Sequence, residues 1–339
     1  MHSTPPVEKI APAPHAEKQL RRKAGILKYQ WEIILLGILI AELVLFRIFL
    51  PQLTNPSVLL GITINFMETG LITLPMVLVI ISKNIDISVG SMLALVSVII
   101  ALSFQAGLQQ WQAVALALAM GAAAGFLNGL LTAKMKIPSL VVTLGTYSLY
   151  RGIAYVVLGD QTFHQYPDSF LFIGRGTVLS VVPISLLVFV IFALLFALLL
   201  HKTTFGRKVY AIGNNQKATF YSGVRVDWII ISLFTMVGVM TAVASVVLTS
   251  RNASTRGNMA LGMELDTITA VVLGGTSIGG GKGTIAGAVI SVLMIGLLRN
   301  GMYAKNVSPE IMKIVIGGLL IVSLLTPRIL ASLGKSEKQ

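Results

Sequence analysis

Long apolar runs separated by short polar breaks dominate this chain. A helix needs about 20 apolar residues to cross a bilayer, somewhat fewer where flanking residues adapt. By that measure the runs 31–50, 58–82, 88–105, 111–133, 138–158, 180–200, 228–250, 267–281, 284–303 and 310–327 read as ten transmembrane helices. The stretch Ile87–Ala133 carries no formal charge, is too long for one helix, and breaks at Gly107 to Gln110. The run 267–281 is short and ends in glycines, so a half-span or re-entrant segment is the alternative there. Residues 1–28 are rich in Pro and charge, carry Arg21-Arg22-Lys23, and read as a disordered basic tail. The first apolar run is too long for a signal peptide, so no cleavage is expected. The pattern therefore divides the chain into the tail 1–28, a membrane domain over 29–330 and a short tail at 331–339.

Composition agrees with an all-α integral membrane protein. Of 339 residues, 55% are hydrophobic and 12% charged, against about 25% charged in a soluble domain. That balance excludes an ordinary soluble enzyme. The absence of Cys excludes disulfides, thiolate metal sites and thiol chemistry. His2, His15, His164 and His201 have no metal-ligand spacing, so no metal site is expected. The net charge of +13 reads as loop charge rather than a nucleic-acid footprint. With a cytoplasmic N-terminus, 18 of the 26 Lys and Arg fall on the inner side, which is the bias of a cytoplasmic-membrane protein. Both termini are then cytoplasmic, and the even count of spans requires 267–281 to cross. Trp31, Trp111 and Trp228 fall near span ends, as an interfacial belt in contact with lipid would place them.

Two loops are long: 159–179, external, and 201–227, internal and basic. Neither can hold a nucleotide-hydrolysing domain, so driving energy must come from an ion gradient or a partner. Asn128-Gly129 precedes Pro138 by about the spacing at which Asn300-Gly301 precedes Pro309. The first linker is internal and the second external, as an inverted repeat of five helices would place them.

Several polar positions carry candidate chemistry. Asp86 and Ser88, within Asn84-Ile85-Asp86-Ile87-Ser88-Val89-Gly90, can cap the start of a helix; the alternative is a polar element lining a solute path or gate. Glu68 lies inside the second span, with Asn65 one turn before it and a kinking Pro75 after it. An intramembrane carboxylate is a functional candidate by default, although protonation, pairing or an interfacial position would also account for it. Glu42 is similar, with Arg47 as a local partner. Gly274, Gly275, Gly279, Gly280, Gly281 and Gly283 read as a break between helices. They are not a phosphate-binding loop, because the residue six before Lys282 is Thr276 and the residue after it is Gly283. In the internal loop, Asn214 can cap a short helix running to Ser222 that Gly223 ends. Such a helix suits a partner's groove; an ordinary basic loop beside anionic lipid is the alternative.

Five motifs in order make the chain recognisable: Asn84 to Gly90; Asn128-Gly129 through Lys136-Ile137-Pro138; Val142-Thr143-Leu144-Gly145-Thr146; Thr204-Phe205-Gly206-Arg207 through Ile212-Gly213-Asn214; and Val272-Leu273-Gly274-Gly275 through Gly283. Over roughly 30–327 the chain resembles the permease subunits of bacterial ABC importers of the ribose, xylose, rhamnose and autoinducer-2 type. The resemblance implies ten helices, a second permease copy or paralogue, a cytoplasmic ABC ATPase and an extracytoplasmic sugar-binding protein. No cofactor is then bound by this chain, and ATP and magnesium belong to the partner ATPase. By the same resemblance Gly206 to Val224 is where the ATPase docks, with Gly206, Arg207, Gly213, Asn214, Ala218 and Gly223 as its marks. One departure is Lys217-Ala218-Thr219-Phe220-Tyr221, where relatives often show an acidic residue and paired Ala. Tyr29-Gln30-Trp31-Glu32 and the run Leu74-Pro75-Met76-Val77-Leu78-Val79-Ile80-Ile81 look closest to the rhamnose and autoinducer-2 branches.

The expected function is therefore ATP-driven import of a monosaccharide or similar polyol, with Asn65, Glu68, Asn84, Asp86, Ser88 and Thr143 as pathway or gate candidates. The rival is a proton-coupled carrier using Glu68 or Asp86. An intramembrane enzyme would need a dyad or metal cluster, and the knot of Asp160, His164 and Asp168 has no nucleophile at useful spacing.

Overall fold

A computed structural model of the chain describes residues 30–159 and 161–336. The basic tail expected over 1–28, and Asp160, lie outside the described residues. The described residues form helices almost throughout, joined by tight turns and one two-stranded hairpin. The helices are α1 (Gln30–Phe49), α2 (Pro56–Ile62), α3 (Met67–Ile81), α4 (Val89–Gln105), α5 (Gln110–Ala133), α6 (Ser139–Leu158) and α7 (Asp168–Arg175). After β1 (Thr177–Val178) and β2 (Val182–Pro183) come α8 (Ile184–Lys202), α9 (Thr204–Asn214), α10 (Gln216–Tyr221), α11 (Val226–Asn252), α12 (Met263–Leu273), α13 (Ile285–Ala304) and α14 (Pro309–Ser336).

Five of these, α5, α6, α8, α11 and α13, are long and apolar enough to cross a membrane, and the bent pair before Ile81 makes six. Helix α1 matches its expected span and has the length, but carries Glu32, Glu42 and Arg47. Four elements differ from the expected spans. The run 58–82 is not one helix: α2 and the turn Thr63–Asn65 meet α3 at 65°. The start expected at 180 moves to Ile184, because the chain through 177–183 pairs as a hairpin. The segment 267–281 is helical only as part of α12, whose 11 residues reach about 16 Å. At the far end α14 continues to Ser336, into the stretch read as a tail.

Helices α3 and α11 form the centre. Nearly every side chain from Met67 to Ile81 is buried, and so is most of α11 from Ile229 to Ser250. Helix α5 can lie close to α11 because its contact face is glycine. Gly125 and Gly238 face each other so closely that a β-carbon on Gly125 would sit 3.0 Å from the Gly238 Cα, the small-residue contact that membrane helices use where there is no hydrophobic drive between them. Outside this centre the helices keep large apolar residues exposed, among them Ile33, Ile48, Leu140, Val156, Ile191 and Leu194. That is the surface of a protein solvated by lipid.

Two segments run back into the bundle before their helices begin. After α3 the chain turns at Lys83 (φ +66°) and stays non-helical as far as Ser88. Helix α4 therefore starts well inside: Ser245, deep in α11, donates to the Leu93 carbonyl (3.1 Å), and Ser97 lies 2.8 Å from Ser245. The segment before α12 does the same from the other end. Its Gly257 and Met259 carbonyls accept hydrogen bonds from Arg151 of α6 at 3.0 and 2.7 Å.

Candidate functional site

The polar candidates gather at three levels. At one end of the bundle, Glu68 opens α3 and Arg251 closes α11. Arg251 Nη2 donates to Glu68 Oε1 at 2.8 Å, and Nη1 reaches the Ile64 carbonyl at 3.0 Å. Asn65 donates to Asn300 Oδ1 of α13 at 2.9 Å. The preceding residue of α13, Arg299, pairs with Asp266 of α12 at 2.9 Å. Glu68 and Asn65 thus stand in a network tying four helices, which is how ionised groups survive in a membrane. The partner expected for Glu42 is a correction. Arg47 instead donates to Thr54 Oγ1 (3.3 Å), and the buried Glu42 carboxylate has no hydrogen-bond partner among the described residues.

The same end is closed by the loop after α6. Gly174 of α7 donates to Ser250 Oγ (2.7 Å), and Arg175 donates to the Arg251 carbonyl (2.7 Å). Phe163 pairs with Thr255 across an isolated bridge. The Tyr166 hydroxyl, 2.6 Å from Thr255 Oγ1, is pushed up to about 12 by burial, so it stays neutral.

Asn84, Asp86, Ser88 and Thr143 lie together deeper inside. Asp86 Oδ1 accepts from the Ser88 amide (2.9 Å) and hydroxyl (2.6 Å). This closes a turn just before α4; Ser88 itself makes no side-chain cap. Asn128 of α5 donates to Ser88 Oγ at 2.8 Å, and the Tyr150 hydroxyl of α6 donates to the Ala124 carbonyl (3.0 Å) beside Asn128 Oδ1. Ser139 accepts from the Ile85 amide (3.1 Å), and Thr143 stands one turn on, bonded to the Ser139 carbonyl (2.9 Å). Asn84 bonds to Ser82. Asp86, Ser88 and Asn128 are fully buried.

At the opposite end from Asn65, three distant segments meet through their backbones. Gly281 N–H donates to the Ile81 carbonyl at 2.9 Å. Gly213 of α9 abuts both, leaving no room for a β-carbon. The Tyr210 hydroxyl donates to the Gly283 carbonyl at 2.6 Å, and Lys83 reaches the Asn214 carbonyl at 3.5 Å. The glycine stretch does break the helix: Gly275, Gly280 and Gly281 all have positive φ. Gly274 lies where α12 meets Gly287 and Ala288 of α13, and Gly279 is open. The cap expected at Asn214 moves by one residue. Asn215 Oδ1 accepts the Ala218 amide (3.0 Å) and starts α10, while Asn214 folds back on the Tyr210 carbonyl (3.0 Å). Gly206 packs under Leu200, whereas Arg207, Ala218, Phe220, Tyr221 and Gly223 are all exposed.

Sequence reasoning did not single out Arg151, Arg251, Glu264, Asp266 or Arg299. Arg151 and Arg299 lie within expected spans, and a charge in an apolar run was the signal available.

Apolar helices solvated by lipid, charges paired in their interior and a basic helical loop at one end define a membrane transport protein. A family model described as "Branched-chain amino acid transport system / permease component" matches residues 58–324. The autoinducer 2 import system permease protein LsrD of Escherichia coli strain K12 is 36% identical over 302 residues, covering 87% of this chain and 91% of the relative. The LsrD proteins of Shigella flexneri and of Escherichia coli O157:H7 match with the same identity and coverage. No solved structure matches the chain. The chain belongs to this permease family. It is a permease subunit of an ABC importer, a transport component rather than an enzyme, and a multi-pass inner-membrane protein.

Proposed function

We propose that this permease spans the membrane ten times with both termini cytoplasmic and admits a small polyhydroxylated solute, of the monosaccharide or autoinducer-2 kind. The mid-bundle starts of α4 and α12, approached from opposite ends, support an inverted repeat of two five-helix halves. In this reading the Asn65 and Glu68 cluster is the outer gate. Asn84, Asp86, Ser88 and Thr143 form the inner gate, where a non-helical segment can rearrange without unwinding a helix.

The observation that carries the reading is the junction of Ile81, Gly213 and Gly281. It joins the exposed helices α9 and α10 to the segments that lead into α4 and α13. A cytoplasmic ATPase docked on Arg207, Ala218, Phe220 and Tyr221 would therefore move the inner gate directly. ATP and magnesium act at that ATPase; this chain binds no cofactor. A second permease, identical or paralogous, and an extracytoplasmic sugar-binding protein complete the importer. The reported import system of the LsrD relatives supports the solute class.

The test begins with gentle purification of the tagged chain from native membranes. Co-purification of an ABC ATPase and a second permease is expected. In vesicles, uptake should require ATP and persist with an uncoupler. Gly213→Ala should abolish uptake while the complex still assembles. Recovery of this chain alone, with uptake stopped by the uncoupler, would overturn the reading.

A further inference from the structure

A cavity of about 400 Å³ lies between α12, α13 and α14, within the range of small-molecule sites. Its polar lining is Asp266 and Thr269 from α12, Arg299 and Tyr303 from α13, and Lys313 from α14, with Gly317 leaving the α14 wall open. Met312 and Ile316, both buried, supply an apolar floor. None of the polar gate candidates named above lines it.

Three features point to a ligand rather than to lipid. Ionisable groups on membrane helices are costly and as a rule face a water-filled cavity or a pathway. Here Asp266 and Arg299 pair at 2.9 Å with side chains still 21% and 30% exposed. The pair leaves a carboxylate acceptor and guanidinium donors free to serve a hydroxylated molecule, whose OH groups both donate and accept. Tyr303, one turn beyond Arg299 and 54% exposed, offers a ring face to the C–H face of a small polyol. A β-carbon at Gly317 would meet nothing within 4 Å, so the space beside α14 is open.

We propose that this cavity is a solute-binding station on the import path, holding an uncharged polyhydroxylated molecule between the Asp266–Arg299 pair and Tyr303. It rests on the permease reading and adds to it a place where the solute is held within one protomer. The Glu68–Arg251 network reaches α13 through Asn65 at Asn300, the residue next to Arg299. Opening of the outer gate would thus lead to this cavity.

The test exploits a chain without cysteine. Gly317→Cys is introduced into the complete importer in vesicles, and labelling of this chain is followed on a gel with a charged, water-soluble thiol reagent. Ribose, rhamnose and autoinducer 2 serve as uptake probes. Labelling is expected, with uptake lost while ATPase stimulation by the loaded binding protein persists. Gly317→Leu should reproduce that uncoupling without a reagent. If Gly317→Leu does not assemble, labelling after assembly of Gly317→Cys supplies the same block. Labelling that leaves uptake intact would overturn the proposal. So would labelling only by a lipid-soluble maleimide, which identifies a lipid-filled groove. Unmodified importer that takes up solute without ATP would instead count against the permease reading, and the labelling result is read independently of it.

Discussion

The Glu264 carboxylate occupies the space that a β-carbon on Gly90 would need. The two residues belong to the first turns of α12 and α4, the helices that begin inside the bundle. Their contact is where the two re-entrant segments meet. Glu264 is 7% exposed, and its Oε2 has no hydrogen-bond partner among the described residues. The positive end of a helix dipole beside it is a favourable place for a carboxylate.

Replacing Gly90 should therefore disturb both helix starts at once. Gly90→Ala brings a methyl against Glu264 and within 2.7 Å of the Ala260 carbonyl. Overpacking of this kind costs about 1–3 kcal/mol. The expected outcome is a lower unfolding temperature in detergent, partly restored by Glu264→Ala in the same chain. An unchanged unfolding temperature for the single variant would show that this contact does not constrain the two helix starts.

The Glu68–Arg251 pair makes a second prediction. Its side chains are only 4% and 19% exposed. Removing one partner strands the other, at a cost of about 3–5 kcal/mol in a buried setting. Arg251→Ala should thus reduce the yield of folded protein sharply. Glu68→Gln combined with Arg251→Gln should be milder, because no unpaired charge remains. Equal losses in the single and double variants would show that the ion pair does not set the effect.

The Asn128 side chain bonds to Ser88, to Tyr150 and to Asp86 Oδ2, so its removal leaves that buried carboxylate oxygen without a partner. Asn128→Leu should cost about 1–3 kcal/mol, and Tyr150→Phe about 1 kcal/mol. Thermal unfolding of the two variants measures the order. Tyr150→Phe should also leave α6 seated on α5, since the ring stays buried against Met92, Leu95 and Ala124.

Much of this was legible along the chain, because a bilayer forces apolar length and loop charge into the pattern. The helices from 88–105 through 138–158 start and stop within about a residue of their expected limits. The glycines around 274–283 announced a break, and the break is there. What the pattern hides is pairing. Arg251 stands 183 positions from Glu68, and no local spacing connects them. The bend near Asn65 is also hidden: Ile64, Asn65 and Phe66 include no Gly or Pro to mark it. Re-entry is hidden for the same reason, since residues 82–88 read as an ordinary connection until Ser139 and Asn128 are seen to hold them inside. The candidates Asn84, Asp86 and Thr143 were legible as polar residues at span ends, but their convergence with Tyr150 depends on how α4, α5 and α6 pack.

The glycines of α5 and α6 offer a contrast within one fold. On α5, a β-carbon at Gly125 would run into the Phe234 carbonyl and approach Gly238. Both obstacles are backbone, so neither can swing aside, and α5 would have to move off α11. On α6, Gly145 and Gly152 have nothing within 4 Å of the added carbon. There Ala removes backbone freedom without a clash, and helix propensity favours it by up to about 1 kcal/mol. Gly125→Ala should accordingly lower the unfolding temperature of the purified chain, while Gly145→Ala and Gly152→Ala should leave it unchanged or raise it. The same two α6 variants in the assembled importer ask a further question. If the exposed face of α6 is lipid-facing there as well, assembly with the proposed second permease proceeds as in the parent. If Gly145→Ala alone weakens co-purification while the isolated chain stays stable, that face lies against another subunit, and its glycines serve the assembly rather than the fold.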